Sequence, residues 1–238
     1  MRLGCLRILP LFFLNAVSAT EVEVGADYSK SPDGLVVKGR NIPVKFGAAI
    51  VGIKTHLSPD LTIEFKLGRG YDPSVNRTFL DVDSNGPASC DMVIVEMEHR
   101  LTKVGRLDIS GVGGFKYQQV HAKLSGNRNG GPFAGTADIG SRSVEVRLQA
   151  NYPVSDTSAL YGQAGLYMWR YNFEAFGSME RVRVWTDSAE RGFSPRFAFG
   201  GSRKFGDITM TAELSTYSLR SDNKTWVPGL LLRASRAW

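Results

Sequence analysis

From Thr20 onward the chain alternates apolar and polar residues with a period of two, and hardly any stretch spaces apolar residues for a helix over three turns. A chain patterned this way folds into strands, because successive side chains of a strand point to opposite faces. Leu61, Ile63, Phe65 and Leu67 share one face, while Thr62, Glu64 and Lys66 share the other. Val144, Val146, Leu148, Ala150 and Tyr152 alternate with Glu145, Arg147, Gln149 and Asn151 in the same way, as do Ile208, Met210, Ala212 and Leu214 with Thr209, Thr211, Glu213 and Ser215. Val22, Val24, Ala26 and Tyr28 set against Glu23, Gly25 and Asp27 give a weaker opening strand.

Turn residues interrupt this pattern at two intervals. Short turns fall at Ser58 to Asp60, Thr102 to Gly105, Pro153 to Asp156 and Lys204 to Asp207. Between those hairpins lie longer polar stretches, roughly 31–40, 72–89, 121–141, 172–191 and 221–228, which read as long loops. Strands are expected at about 22–29, 42–56, 61–71, 91–101, 106–118, 142–152, 158–171, 195–203, 208–218 and 229–238, ten in all.

The first nineteen residues stand apart. Arg2 and Arg7 lead into an apolar run from Leu9 to Leu14, and Val17, Ser18 and Ala19 supply the small residues of a cleavage site, so 1–19 reads as a secretory signal and 20–238 as one barrel domain. Cys5 and two arginines leave with the signal. The remaining chain keeps Cys90 alone, which excludes an internal disulfide, and its formal charge falls from +6 to +4, too small and dispersed to argue for nucleic acid. With 42% hydrophobic residues and 22% charged, disorder is excluded; the 26 glycines have no period of three, so collagen is too.

No run of about 18 apolar residues is present for a helical membrane span, but strands of about ten residues with alternating short turns and long loops suit an up-and-down transmembrane β-barrel. The faces opposite the apolar residues carry Glu23, Asp27, Lys45, Glu64, Lys66, Glu96, Glu98, Arg100, Asp108, Lys116, Glu145, Arg147, Glu213 and Arg233, acids and bases that can pair across a narrow lumen. Lipid is then expected to meet Leu61, Ile63, Phe65, Leu67, Val144, Val146, Leu148, Ile208, Met210, Leu214, Leu230 and Leu232. Alternation alone does not say which set is inside, so a soluble periplasmic lipid-binding barrel with the apolar face inward is the competing reading. In the strand 158–171 the Leu160 set is assigned to lipid, which places Gln163 in the lumen. Tyr71, Phe115, Tyr117, Tyr152, Phe197, Phe205, Tyr217 and Trp238 lie near strand ends, as two interfacial girdles would.

Two regions carry a family resemblance: Val144 to Asp156 followed by Leu160 to Arg170, and Phe197 to Tyr217 followed by Leu230 to Trp238, with Phe46 to Tyr71 fitting less closely. Here the chain resembles the OmpA-like small outer-membrane β-barrels, in the superfamily that includes the OmpX and OmpW types. The resemblance implies residence in the bacterial outer membrane, contact with its lipids, and a terminal strand ending at Trp238 that the barrel-assembly machinery reads. The sequence departs from the family in an extra hairpin, Asp91 to Gln118, which raises eight strands to ten, and in Arg236 at an apolar-parity position.

Chemistry-bearing residues are sparse. His56, His99 and His121 are expected on separate strands or loops, and His121 with Ser125 is the one hydroxyl pairing within reach, so no enzyme, metal site or cofactor is expected. A ten-stranded barrel is barely wider than its side chains, and about fourteen inward charges would occlude it. The expected role is structural or surface-interacting, through long external loops; a narrow ion or small-solute channel is the alternative. Loop arginines Arg128, Arg181, Arg183 and Arg191 are candidates to meet lipopolysaccharide phosphates.

Overall fold

The computed structural model describes residues 20–37, 40–79, 82–128, 131–179, 182–218 and 226–237. The expected signal, 1–19, and Trp238 lie outside the described residues. Ten strands follow in order: β1 (Thr20–Val37), β2 (Arg40–Ser58), β3 (Leu61–Phe79), β4 (Val82–Val104), β5 (Leu107–Arg128), β6 (Gly131–Ser155), β7 (Ser158–Met179), β8 (Val182–Phe205), β9 (Ile208–Ser218) and β10 (Trp226–Ala237). Each pairs antiparallel with its chain neighbours, and β10 returns to β1, with Val22 opposite Arg236 and Tyr28 opposite Leu230, so the sheet closes into a barrel. Closure satisfies the backbone groups that an open edge would leave bare, the condition for a sheet to stand in lipid.

Four tight turns cluster at one end, because each needs only two residues between its strands. Gly105 and Gly206 occupy the first turn position with φ of 61° and 60°, a conformation that side chains rarely adopt. At the other end the structure corrects the reading of long loops. Residues 72–79, 82–89, 121–128, 131–141, 172–179 and 182–191 are strand, as are 31–37, so the hairpins simply continue. The strands β4 to β8 run to between 22 and 25 residues, about twice what a tilted strand needs to cross hydrocarbon. By contrast β9 and β10 have 11 and 12 residues.

The wall changes character along its height. Near the tight turns Val24, Ile53, Leu67, Met97, Val146, Leu166, Phe199, Leu214 and Leu232 face outward and are exposed. Further along the same strands the outward positions become Arg69, Asp91, Gln119, His121, Asp138, Arg170, Asn172 and Glu174. There the apolar residues are inside, where Ala48, Ile50, Ala88, Cys90, Met92, Val120, Ala122, Ala137, Ile139, Trp169, Tyr171, Phe173 and Ala175 pack as one buried cluster.

Candidate functional site

Inside the barrel, at the level of the apolar outer band, lies a layer of acidic and basic side chains. Lys66 Nζ is 2.8 Å from Glu64 Oε2, 2.9 Å from Glu96 Oε2 and 3.9 Å from Glu23 Oε1. Arg147 bridges Glu96, at 2.6 Å, and Glu145. Arg196 continues the chain, 2.9 Å from both Glu145 and Glu213, and donates to Gln163 Oε1 at 2.9 Å. Arg233 lies 3.5 Å from Glu23 Oε2 and 4.0 Å from Glu64 Oε1. The contacts pass through β9, β8, β6, β4, β3, β1 and β10 and so run nearly around the bore.

Neutral groups complete the layer. Tyr161 donates its hydroxyl to Glu213 Oε2 at 3.0 Å, and Gln163 donates to Gln149 Oε1 at 2.6 Å. An isolated ion here would cost several kcal/mol in desolvation, so the layer holds together only because each charge has a partner. Close packing is built in: a Cβ at Gly165 would come within 2.5 Å of the Arg147 Cβ, so the β7 backbone lies directly against that arginine's stem.

A cavity of about 110 Å³ separates this layer from the apolar cluster and has room for several water molecules. Lys116 and Asp27, 3.8 Å apart, line it together with Tyr167 and Tyr217, whose ring centroids are 5.0 Å apart. Beyond it lies the apolar cluster, which includes a stacked aromatic pair: Trp169 and Tyr171 lie 5.4 Å apart at an interplanar angle of 13°. Gly192 makes room for that stack, since a Cβ there would meet the Trp169 ring at 2.6 Å.

The expected lumen charges are therefore distributed unevenly. Glu23, Glu64, Lys66, Glu96, Glu145, Arg147, Glu213 and Arg233 belong to the ionic layer, and Asp27 pairs with Lys116 beside the cavity. Arg100 and Asp108 form a pair of 2.5 Å at the tight-turn rim, open to solvent, while Glu98 is half-buried between the two levels. Lys45 pairs with Lys30 in the β1–β2 ladder, and its side chain lies outside the described residues. Among the residues expected at the lipid, Leu61, Ile63 and Phe65 are half-buried, while Leu67, Val144, Val146, Leu148, Ile208, Met210, Leu214, Leu230 and Leu232 are exposed. Of the expected girdle aromatics, Tyr71, Phe115, Tyr152, Phe197 and Phe205 are exposed, but Tyr217 turns inward to the cavity, because Thr216 takes the outward position beside Phe197.

Sequence reading missed Arg196. It sits at the mouth of the strand expected at 195–203, and the outward set Phe197, Phe199 and Gly201 already fixes it on the inner face. His121, expected at the start of a long loop, lies instead in β5, where its Nδ1 is 2.6 Å from Asp138 Oδ1 across the β5–β6 ladder on the exposed outer wall. His56 contacts Thr62 Oγ1 at 3.0 Å, and His99 is exposed. Among the described residues no group of three or more His, Cys, Asp or Glu is placed to hold a metal ion.

This architecture has known counterparts. The outer-membrane protease OmpT from Escherichia coli aligns over 92% of this chain and 94% of its own, with a TM-score of 0.58 at 10% identity. The translocator domain of the autotransporter NalP from Neisseria meningitidis aligns over 92% and 87%, with a TM-score of 0.56 at 11% identity. No protein-family model matches the sequence, and no curated protein matches it. At these identities the likeness is one of fold: a closed barrel of the outer-membrane type.

Proposed function

We propose, from the premise of an outer-membrane-type barrel fold, that this chain is an integral protein of the bacterial outer membrane whose lumen is stoppered and whose work is done on its surface. In this reading the short turns face the periplasm, the apolar band meets the acyl chains, and the long ends of β4 to β8 stand outside the cell as a rigid extension in place of flexible loops. The observation that carries it is the reversal of polarity along the strands: apolar outside and ionic inside at one level, polar outside and apolar inside at the next. A soluble lipid-binding barrel would show a single polarity, apolar inward, over its whole height.

In this reading the ionic layer and the apolar cluster act as two stoppers in series, which favours a structural or surface-interacting role over conduction. The role is non-catalytic in this reading, with lipids of the outer membrane, lipopolysaccharide among them, as partners, and the barrel-assembly machinery as a partner during insertion. Reconstitution in planar bilayers is the test. The expected result is a folded barrel, recognised by heat-modifiable migration on a gel, that passes no steady current. Ohmic single-channel steps from the folded protein would replace this reading with the narrow channel.

A further inference from the structure

Three arginines stand side by side on the outer wall. Arg142 of β6 is directly opposite Arg170 of β7, and Arg170 is directly opposite Arg191 of β8. All three are exposed. Neighbouring strands are about 4.8 Å apart, so the row begins from backbone positions spanning roughly 10 Å. Like charges placed opposite one another on a sheet repel, and a row of three is costly without a counter-charge.

Two other outward arginines have an acid nearby, Arg69 at 3.6 Å from Asp91 and Arg236 at 3.7 Å from Asp207, while the isolated Arg203 lies over the Phe205 ring at 5.2 Å. Among the described residues the row has no acidic partner, and its one contact is Arg142 lying over the Tyr117 ring at 5.9 Å. The position of the row is equally specific. The next outward row toward the tight turns is Phe115, Val144, Met168 and Phe193, all exposed, while the next row the other way is Gln119, Gly140, Asn172 and Ala189. The arginines thus mark the line where the wall changes from apolar to polar. Four residues beyond them, about 13 Å along the strands, Asp138 and Glu174 face outward as a pair, so an anion is favoured at the row and opposed further out.

We propose that Arg142, Arg170 and Arg191 form a binding row for the phosphate groups of a phosphorylated outer-leaflet lipid, whose acyl chains lie on Phe115, Val144, Met168 and Phe193. The inference rests on the membrane reading above and names the partner of that surface. The planar guanidinium matches phosphate oxygens with two parallel hydrogen bonds, and three such forks in a line accommodate more than one phosphate.

The test uses the full chain folded in a nonionic detergent, with bound lipid counted by native mass spectrometry during titration with lipid A carrying two phosphates, with its monophosphorylated form, and with inorganic phosphate. The triple variant R142Q/R170Q/R191Q is compared with R69Q, and heat-modifiable migration establishes that each is folded. The expected result is a loss of affinity of about tenfold or more for the diphosphorylated lipid in the triple variant, none in R69Q, and intermediate binding of the monophosphorylated form by the wild type. Equal binding by R69Q and the triple variant overturns the row while leaving the membrane barrel standing. Inorganic phosphate binding as tightly as the lipid overturns the lipid as occupant. A wild-type chain that fails to float with phospholipid vesicles overturns both readings.

Discussion

Two stretches of one strand make opposite choices. Between Leu160 and Met168, β7 turns Leu160, Leu166 and Met168 outward and Tyr161 and Gln163 inward; between Tyr171 and Phe176 it turns Asn172, Glu174 and Phe176 outward and buries Tyr171, Phe173 and Ala175. Strand geometry is the same in both, and so is the pairing with β6 and β8. What differs is the medium proposed to lie against the wall. Against hydrocarbon, apolar side chains gain nothing by turning inward, and the lumen holds polar groups that satisfy one another; against water, the same sheet must bury its apolar face. In the proposed reading the change of sides records the solvent boundary.

The largest expected effect that would break the contrast is Arg147→Ala in the ionic layer. Glu96 and Glu145 would lose a shared buried partner, at a cost of about 3–5 kcal/mol. Urea unfolding in phospholipid vesicles should show the whole barrel destabilised, and an unchanged midpoint would remove the ionic layer from the account of stability. Next, Phe173→Ala empties a fully buried site in the apolar cluster and should cost about 3 kcal/mol. Here the loss should be local: limited proteolysis should cut the extension while the membrane-level strands stay protected, and uniform protection would contradict two separable layers.

A sharper comparison places one charge at two heights. Leu166→Arg, on the outward apolar band, should cost about 2–3 kcal/mol in vesicles, whereas Asn172→Arg, six residues along the same face, should stay within about 0.5 kcal/mol. Equal effects would mean that both positions see the same medium. The smallest change is expected from Arg100→Ala, which breaks the exposed rim pair with Asp108 and should alter the unfolding midpoint by less than about 1 kcal/mol.

Much of the barrel at the level of the apolar band could be read from residue order, because there the outward set is large and apolar: Leu61 to Leu67, Val144 to Leu148 and Ile208 to Leu214 alternate without interruption. The ten strands, their antiparallel order and the four tight turns follow from that signal. The extension was not legible, for two physical reasons. Its buried face is built largely from small residues, Ala88, Ala122, Ala137 and Ala175, which carry little hydrophobic contrast. Its exposed face is polar apart from Phe176, with His121, Asp138, Asn172 and Glu174, so the stretch has the composition of a loop while its backbone remains paired. The ionic layer was legible as a set of residue types but not as a circuit. Arg196, which joins Glu145 to Glu213, fell at a strand boundary, and which acid meets which base depends on the curvature of a closed sheet.

The contact between Arg233 and Glu23 joins positions 210 residues apart. No partial hairpin stack can form it, because it exists only once the β1–β10 seam has zipped. Until then Glu23 lacks one of its two cationic neighbours, so a half-assembled sheet carries an electrostatic debt that the last docking step discharges. Insertion should accordingly be all-or-none at its final stage, with little population of a barrel that is round but unsealed.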